Sequence, residues 1–191
     1  MALAHATPAE RLLTRKDYMA LYNAGHFAPD ARIELVGGRL YEMPSMNSPH
    51  SEVVQRLMRY FLPLLADQRL LVQLPVVISD FDEPEPDLAV RAKFAPHRSK
   101  PQGQDLALVI EVSDSTYGFD RNRKLPAYLN GGVAEVWLVN LPRMRVERYP
   151  RATAHVPEIL YTPNPSATLE FEGVRIAVDE LLGNLPRAED E

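Results

Sequence analysis

The sequence contains no cysteine, which excludes both disulfide bonds and thiolate metal ligands. It also has no apolar run that approaches the ~18 residues needed to span a membrane. Its N-terminus, MALAHATPAERLL, lacks the apolar stretch of a signal peptide. Lysine is scarce, with four residues against 17 arginines, so a lysine placed beside acidic residues stands out. We therefore expect a cytoplasmic protein that has no contact with the membrane.

The chain also lacks an excess of positive charge. Its net charge is −5 and its pI is about 5.6, which argues against coating nucleic acid through overall positive charge. A metal-dependent phosphodiesterase remains compatible, because it concentrates carboxylates around a cation. With 191 residues, of which 46% are hydrophobic and 25% charged, the chain is long enough for one sizeable core. We expect a single domain over residues 1–191, with a core at about 12–182 and a frayed tail after Leu185.

Several catalytic motifs are missing as well. The sequence has no HExxH helix for zinc and no glycine-rich phosphate loop ending in GK[ST]. It has no GxSxG elbow, so serine hydrolysis has little support. The remaining candidates are sites built from carboxylates and a lysine.

The residue pattern predicts a mixed α/β fold, in which helices flank a central sheet. The first predicted elements are a helix over 15–24 capped by Thr14, a hairpin over 32–43, and a helix from His50 toward Leu62 capped by Ser48. Strands follow over 70–78, 88–90 and 107–112, and then a helix over 121–130, in which Pro126 lies in the first turn or causes a kink. The last predicted elements are the strands EVWLVNL and RVERY, a hairpin around Glu172-Gly173 and a helical turn at DELLG.

Register and periodicity limit which polar residues of the first elements can share a site. A two-residue turn at Gly37-Gly38 pairs Glu34 with Tyr41, and it places Glu34 and Glu42 on opposite faces of the hairpin. Only one of these two acids can point at a common site. His50 lies on the apolar face of the following helix and is expected to point inward.

Three residues form the predicted reaction centre. Asp87 precedes a short buried strand, Glu111 interrupts the apolar strand ALVIEV, and Lys124 lies one turn after Asp120 on the next helix. An ionised glutamate in a buried strand is costly unless it is paired or binds a cation. Two carboxylates at neighbouring strand ends favour Mg²⁺, with Mn²⁺ as a substitute. Such an ion lowers the pKa of a bound water, and the ammonium can orient that nucleophile.

Each of these residues also has a purely structural interpretation. Asp87 could be a turn aspartate after proline, Glu111 could pair with a buried arginine, and Lys124 could pair with Asp120 on a solvated helix face. Likewise Glu34 could be a surface acid of the hairpin, and His50 could be a helix-start residue that donates to a nearby acid.

Other polar residues are assigned structural roles. Asp120 is expected to cap its helix first and to support the site second. Tyr128 is expected to hold the helix to the sheet from the core. The acidic turn lacks the glycine and terminal glutamate of a calcium loop and is interpreted as solvated, with acids at Asp80, Asp82, Glu83 and Glu85.

The order of several motifs resembles the Uma2 family. These are ELVGGRLYEM, SPHSEVV, PDLAV, LVIEVSDST and FDRNRKLPAYLNGGVAEVWLV, and the likeness covers roughly residues 12–182. That family is restriction-endonuclease-like and belongs to the PD-(D/E)xK phosphodiesterase superfamily. The resemblance implies a sheet of restriction-endonuclease-like topology and an active site that acts on DNA.

The resemblance also implies roles for individual residues. Asp87 corresponds to the first acid and Glu111 to the second, and both would bind the metal. The lysine expected two residues after the second acid is Ser113 in this chain, so the basic role is implied to have moved to Lys124. A glutamate of the first hairpin and a histidine at the next helix start are also family features, and they match Glu34 and His50.

Three functions remain open from the sequence. The first is a divalent-metal-dependent phosphodiesterase that cuts DNA, and the second is a non-catalytic member that binds nucleic acid or protein. Hydrolysis of a small phosphoester is the third. The dimeric habit of many nucleases suggests a homodimer. Glu34, Asp87 and Glu111 are expected to converge as like charges, so that neutralising Asp87 leaves the metal-free stability unchanged or raises it.

Overall fold

The computed structural model describes residues 9–65, 68–97, 99–153, 156–162, 164 and 166–185. In this part of the chain five α-helical segments and ten strands are described. The helices are α1 (Arg15–Asn23), α2 (Ser48–Phe61), α3 (Tyr117–Phe119), α4 (Leu125–Asn130) and α5 (Val178–Leu182). The strands are β1 (Ile33–Val36), β2 (Arg39–Glu42), β3 (Leu70–Val72), β4 (Leu88–Arg91), β5 (Leu106–Ser113), β6 (Glu135–Asn140), β7 (Arg145–Pro150), β8 (Glu158–Tyr161), β9 (Thr168–Phe171) and β10 (Val174–Ala177).

A six-stranded mixed sheet with the order β3-β4-β5-β6-β7-β8 forms the centre of the fold. Strands β5 and β6 run parallel, and the other neighbours are antiparallel. A parallel pair needs a crossover connection, and α3, a π-helical turn (Asp120–Lys124) and α4 provide it. The predicted mixed α/β fold with a central sheet is confirmed, and so is the separate hairpin β1-β2.

Both faces of the sheet are covered. One apolar cluster joins α2 and α5 to side chains such as Ile110 and Trp137. The other joins α4 to alternate residues of the same strands, including Val109 and Leu138. Because successive side chains of a strand alternate between faces, Glu111 points to the same side as Val109, toward the crossover helices.

The N-terminal elements match their predictions closely. Thr14 caps α1 through a capping box with Asp17. The hairpin has the expected register, in which Glu34 pairs with Tyr41. The cap predicted for α2 is wrong by one residue: the side chain of Asn47, rather than Ser48, accepts the backbone hydrogen bond of His50.

The strand predicted over 70–78 is wrong beyond its first three residues. After β3, Gln73 adopts a φ of 49°, which takes the chain out of the sheet. Val76 and Ile78 are still buried, but their N–H groups bond to the acidic turn, at the carbonyls of Pro84 and Asp82. The apolar run therefore indicated correctly that these residues are buried, but it did not indicate their secondary structure.

The crossover helix begins earlier than predicted and is not regular. Helical structure starts at Tyr117 instead of 121, and the N–H of Leu125 bonds to the carbonyl of Asp120 across a π-helical turn. Proline has no N–H and its ring collides with the carbonyl four residues earlier in a regular helix. The wider turn therefore accommodates Pro126 without ending the helix, and π turns often occur at functional sites.

The remaining elements differ less from their predicted bounds. Strands β4 and β5 extend the predicted 88–90 and 107–112 by one residue or so, and the last hairpin and α5 are present as expected. Strand β8 had no sequence prediction. The tail predicted to be frayed after Leu185 lies outside the described residues. Within those residues no helix is long and apolar enough to cross a membrane.

The close approach of Gly131 to Ile78 generates a prediction about stability. A Cβ atom on Gly131 would lie 2.4 Å from Ile78 Cγ2, whereas one on Gly118 would meet no atom within 4 Å. Gly131→Ala should therefore lower the free energy of unfolding by about 1–3 kcal/mol. The control Gly118→Ala should leave it unchanged or raise it by up to about 1 kcal/mol. Urea unfolding measures both, and equal values would show that Ile78 moves aside freely.

Candidate active site

Two neighbouring strand ends position the acids of the candidate site. Leu88 pairs with Ile110 in the antiparallel β4-β5 ladder, so continuing this register by one residue places Asp87 opposite Glu111. Both side chains are buried, with 5% and 3% of their surface exposed. The sequence predicted this arrangement, and the structure brings the two acids to one end of the central sheet.

Lys124 reaches the site from the crossover helix. Its Nζ lies 3.0 Å from Glu111 Oε1 and 2.9 Å from Glu34 Oε2. The hydroxyl of Tyr128 donates to the same Glu111 oxygen at 2.6 Å. Tyr128 lies four residues after Lys124, so both side chains project from one helix face, a spacing visible in the sequence. Tyr128 is a core residue as expected, but it also holds Glu111 directly.

Asp120 completes the surroundings of the ammonium. Its Oδ1 lies 4.0 Å from Lys124 Nζ. Its Oδ2 accepts hydrogen bonds from the hydroxyls of Ser113 at 2.8 Å and Thr116 at 2.7 Å. The interpretation of Asp120 as a helix cap is wrong, because the helical run begins before it and its side chain points to the site.

His50 and Asp87 form the other half of the site. His50 Nε2 lies 3.1 Å from Asp87 Oδ2, and the backbone N–H of Val112 donates to the same oxygen at 2.8 Å. His50 comes from α2, on the opposite side of the sheet from the crossover helices. The five residues predicted for the site therefore line one small cavity of about 60 Å³, namely Glu34, His50, Asp87, Glu111 and Lys124.

One ammonium stands among three buried carboxyl groups, those of Glu34, Glu111 and Asp120. Burial raises the pKa of Glu111 well above its ordinary value, although Lys124 acts against this. Burial also raises the pKa of Glu34 and of Asp120 against the same lysine. For Lys124 burial lowers the pKa, but Glu111 and Glu34 outweigh it, so the pKa lies above its ordinary value. The cluster consequently holds more acid than its lysine can balance.

Asp87 differs from these acids. Burial raises its pKa, but the hydrogen bond and charge of His50 and the N–H of Val112 outweigh burial and leave the pKa below its ordinary value. The ionised form of Asp87 is thus the one that the fold stabilises. The lowered pKa of Asp87 argues against the expectation that neutralising it spares the metal-free protein, and the raised pKa of Glu111 favours that outcome for Glu111 instead.

The acidic turn before Asp87 is not the solvated turn that the sequence suggested. Glu83 is 3% exposed. It forms ion pairs with Arg15, at 2.6 Å, and with Lys100. Asp82 accepts a hydrogen bond from the backbone N–H of Gly37 at 2.6 Å. The turn thus holds the hairpin that carries Glu34 against the rest of the protein.

The donor set fits a hard divalent cation in part. The contacts above use Oδ2 of Asp87 and Oε1 of Glu111 and leave Oδ1 and Oε2 for another partner. Among the described residues, no group of three or more histidine or acidic side chains is placed to hold a metal ion. Mg²⁺ commonly binds one or two carboxylates and completes its shell with water and substrate phosphates. Two carboxylates beside surplus acid are compatible with that pattern.

The contrast between the two acids predicts opposite stability changes in chelator. Asp87→Asn should lower the free energy of unfolding at neutral pH by about 1–3 kcal/mol, because it removes a buried charge acceptor. Glu111→Gln should leave it unchanged or raise it. Asp87 contributes stability above the ordinary carboxyl pKa of about 4, whereas the contribution of Glu111 is lost as pH rises through its raised pKa. The difference between the variants should therefore grow with pH in denaturant titrations. Equal unfolding curves at every pH would contradict this assignment of charge.

Comparison with known proteins gives the family. The chain matches the Uma2 family model, whose description is "Putative restriction endonuclease", over residues 15–179. Four chains of solved structures also match it. One is a crystal structure of a putative nuclease belonging to DUF820 from Anabaena variabilis ATCC 29413. It is 15% identical with a TM-score of 0.67, over 89% of this chain and 97% of that chain, a likeness that shows the fold alone. No curated protein matches the chain.

The family match covers the segments that carry the buried acids, the lysine and the mixed sheet. Because the match spans residues 15–179 of a 191-residue chain, this protein belongs to the Uma2 family.

Proposed function

We propose that this protein is a divalent-metal-dependent phosphodiesterase that cuts DNA as an endonuclease. The observation that supports it most is the placement of Glu111. A buried carboxyl group with a raised pKa shares one ammonium with two other acids, Glu34 and Asp120, and faces Asp87 across a strand pair. Such surplus acid is costly to a fold and is expected where a cation binds. Membership of a family whose description is "Putative restriction endonuclease" supports this reaction class.

Asp87 and Glu111 would hold Mg²⁺ or Mn²⁺, through the carboxylate oxygens that face away from His50 and Lys124. When bound, such an ion polarises a phosphoryl oxygen and makes a bound water more acidic. His50 fixes the orientation of Asp87 through the contact to its Oδ2, as residues that hydrogen-bond to metal ligands commonly do. Tyr128 does the same for Glu111.

Lys124 acts as a fixed positive charge. Glu111 and Glu34 outweigh burial and hold the pKa of Lys124 above the ordinary lysine value, so the metal-free fold favours the protonated ammonium. An ammonium held by Glu34 and Glu111 can orient the attacking water and stabilise charge on the phosphoryl oxygens. Hydrolysis then forms one bond from water oxygen to phosphorus and breaks one ester bond, and the leaving oxygen takes up a proton.

One observation favours a second function. In the structure the ammonium of Lys124 already neutralises part of Glu34 and Glu111, so the cluster could serve as a structural ion network in a non-catalytic nucleic-acid-binding protein. A homodimer, as many nucleases form, is compatible with either function. Cleavage assays separate the two.

The first functional prediction concerns cleavage. The purified protein should nick plasmid DNA or degrade single strands in Mg²⁺ or Mn²⁺, and chelator should stop it. Asp87→Asn, Glu111→Gln and Lys124→Ala should each reduce the rate at least roughly 10²-fold, because the ion, the water and the ammonium act together. Gel assays under single-turnover conditions measure the rates.

A matched lysine provides the control. Lys93 is exposed, so Lys93→Ala removes a positive charge without touching the candidate site. It should leave the cleavage rate unchanged. If all four variants cut as the unmodified protein does, the activity belongs to a contaminant. The non-catalytic function then gains support.

The second functional prediction uses melting curves and needs no substrate. Mn²⁺ at ten times its dissociation constant should stabilise the unmodified protein by about 1.4 kcal/mol. In a chain of this size, that corresponds to a rise in Tm of roughly 3–6 °C. Asp87→Asn and Glu111→Gln should lose the rise, whereas Lys93→Ala should keep it. A rise of equal size in every variant would place the ion elsewhere.

A further inference from the structure

A second cavity adjoins the candidate active site. It has a volume of about 380 Å³, within the range of about 300–1,000 Å³ typical of small-molecule sites. Arg32 and Glu85 line both cavities, and Arg32 Nη2 lies 3.8 Å from Glu85 Oε1. The two cavities are therefore neighbours that share these two side chains.

Aromatic side chains line the second cavity, which we call the aromatic groove, defined by Tyr18, Tyr22 and Phe27. The rings of Tyr18 and Phe27 have centroids 6.0 Å apart, and the hydroxyl of Tyr18 is fixed by the carbonyl of Ile33 at 2.8 Å. Tyr22 is 61% exposed. Helix α1 carries both tyrosines one turn apart and has no buried residue, so core packing does not account for this aromatic face.

The charged residues that line the groove are balanced, with Arg32 and Lys100 against Glu83 and Glu85, and Arg32 is the cation that also borders the candidate site. In the described part of the chain, two basic side chains line the candidate site, those of Arg32 and Lys124. Lys124 is enclosed by acids. Arg32 is about one-third exposed, and its contacts to Glu85 and to the carbonyl of Pro44 are long, at 3.8 and 3.4 Å. Arg32 is therefore the less enclosed of the two cations, and it is free to bind a second phosphate beside the one that Lys124 would face at the cleavage position. Lys100 also lines the groove and pairs there with Glu83.

We propose that the aromatic groove binds an unpaired nucleobase of the substrate strand, while Arg32 binds the phosphate between that base and the cleavage position. A base inside a duplex is already paired and stacked, so it cannot enter. The groove therefore selects single strands, or duplexes with an unpaired segment beside the cleavage position. Stacking on aromatic rings tolerates every base, which predicts little sequence preference. This inference rests on the proposed function and specifies its substrate.

Fluorescence anisotropy with a labelled 12-nucleotide single strand and a blunt duplex of the same sequence tests the proposal. Binding is measured in Ca²⁺, an oxygen-binding ion, and gels verify that the strands stay intact. Tyr22→Ala should weaken single-strand binding roughly 5- to 150-fold, the range that corresponds to about 1–3 kcal/mol per stacked base. Its binding to the blunt duplex should not change. Tyr22→Trp should restore the single-strand affinity.

Two further variants sharpen the result. Phe94 is 98% exposed and lies outside the groove, so Phe94→Ala removes an exposed ring as a matched control and should change nothing. Arg32→Gln should reduce the slope of log affinity against log salt by about 0.7, the value for one phosphate of a single strand. A 2-aminopurine base in the strand should lose fluorescence on binding to the unmodified protein and keep it with Tyr22→Ala.

The outcomes separate this inference from the proposed function. If the protein cuts DNA in Mn²⁺ but Tyr22→Ala binds single strands as tightly as the unmodified protein, the groove has another occupant and only this inference falls. An equal loss in Tyr22→Ala and Phe94→Ala also overturns it. A dimer that dissociates in Tyr22→Ala without any change in strand affinity would assign the groove to a second copy of the chain. If the protein binds neither DNA, both proposals fall.

Discussion

The burial of three carboxyl groups around the single ammonium of Lys124 is the interaction on which the rest of the site depends. One buried charge without a partner is costly, and three acids against one base leave an imbalance that side chains alone do not remove. The protein limits the cost with a phenol from Tyr128 and hydroxyls from Ser113 and Thr116. These donors hold the acids in place without neutralising them. The imbalance is thus maintained by the fold, as expected where a cation and a phosphate are to meet.

The crossover between the parallel strands makes this geometry possible. Helices α3 and α4 must pass over the sheet to connect β5 with β6, and this brings Lys124 over the carboxyl end of β5. The π-helical turn ends at Lys124 and directly precedes the segment with Pro126. A proline that would otherwise interrupt the helix is tolerated where the backbone is already widened. The turn that accommodates the proline and the turn that presents the lysine are therefore the same.

Sequence patterns located most of these features because they depend on local periodicity. A lone acid in an apolar strand identified Glu111. The two-residue turn indicated that only one of Glu34 and Glu42 can point at the site, and the family resemblance selected Glu34. The sequence could not predict whether the surroundings of Asp87 favour its charged or its neutral form, because this depends on His50 and on a backbone N–H of the neighbouring strand. Glu83 was misjudged for a related reason. Its partner Arg15 lies 68 residues away in the sequence. An acidic turn has the same local sequence pattern whether its side chains are solvated or ion-paired.

The hairpin β1-β2 supplies Glu34 yet is not part of the central sheet. It is joined to the acidic turn by backbone hydrogen bonds, from Glu83 to Leu35 and from Gly38 to Phe81, and it contacts α3 through the rings of Tyr41 and Phe119. The central sheet does not need the hairpin to form its ladders. We therefore expect the hairpin to open as a cooperative unit of its own, at a lower free energy than global unfolding. In hydrogen exchange its amides should exchange ahead of those of β5, and each opening would release Lys124 from one of its acids while the sheet stays intact.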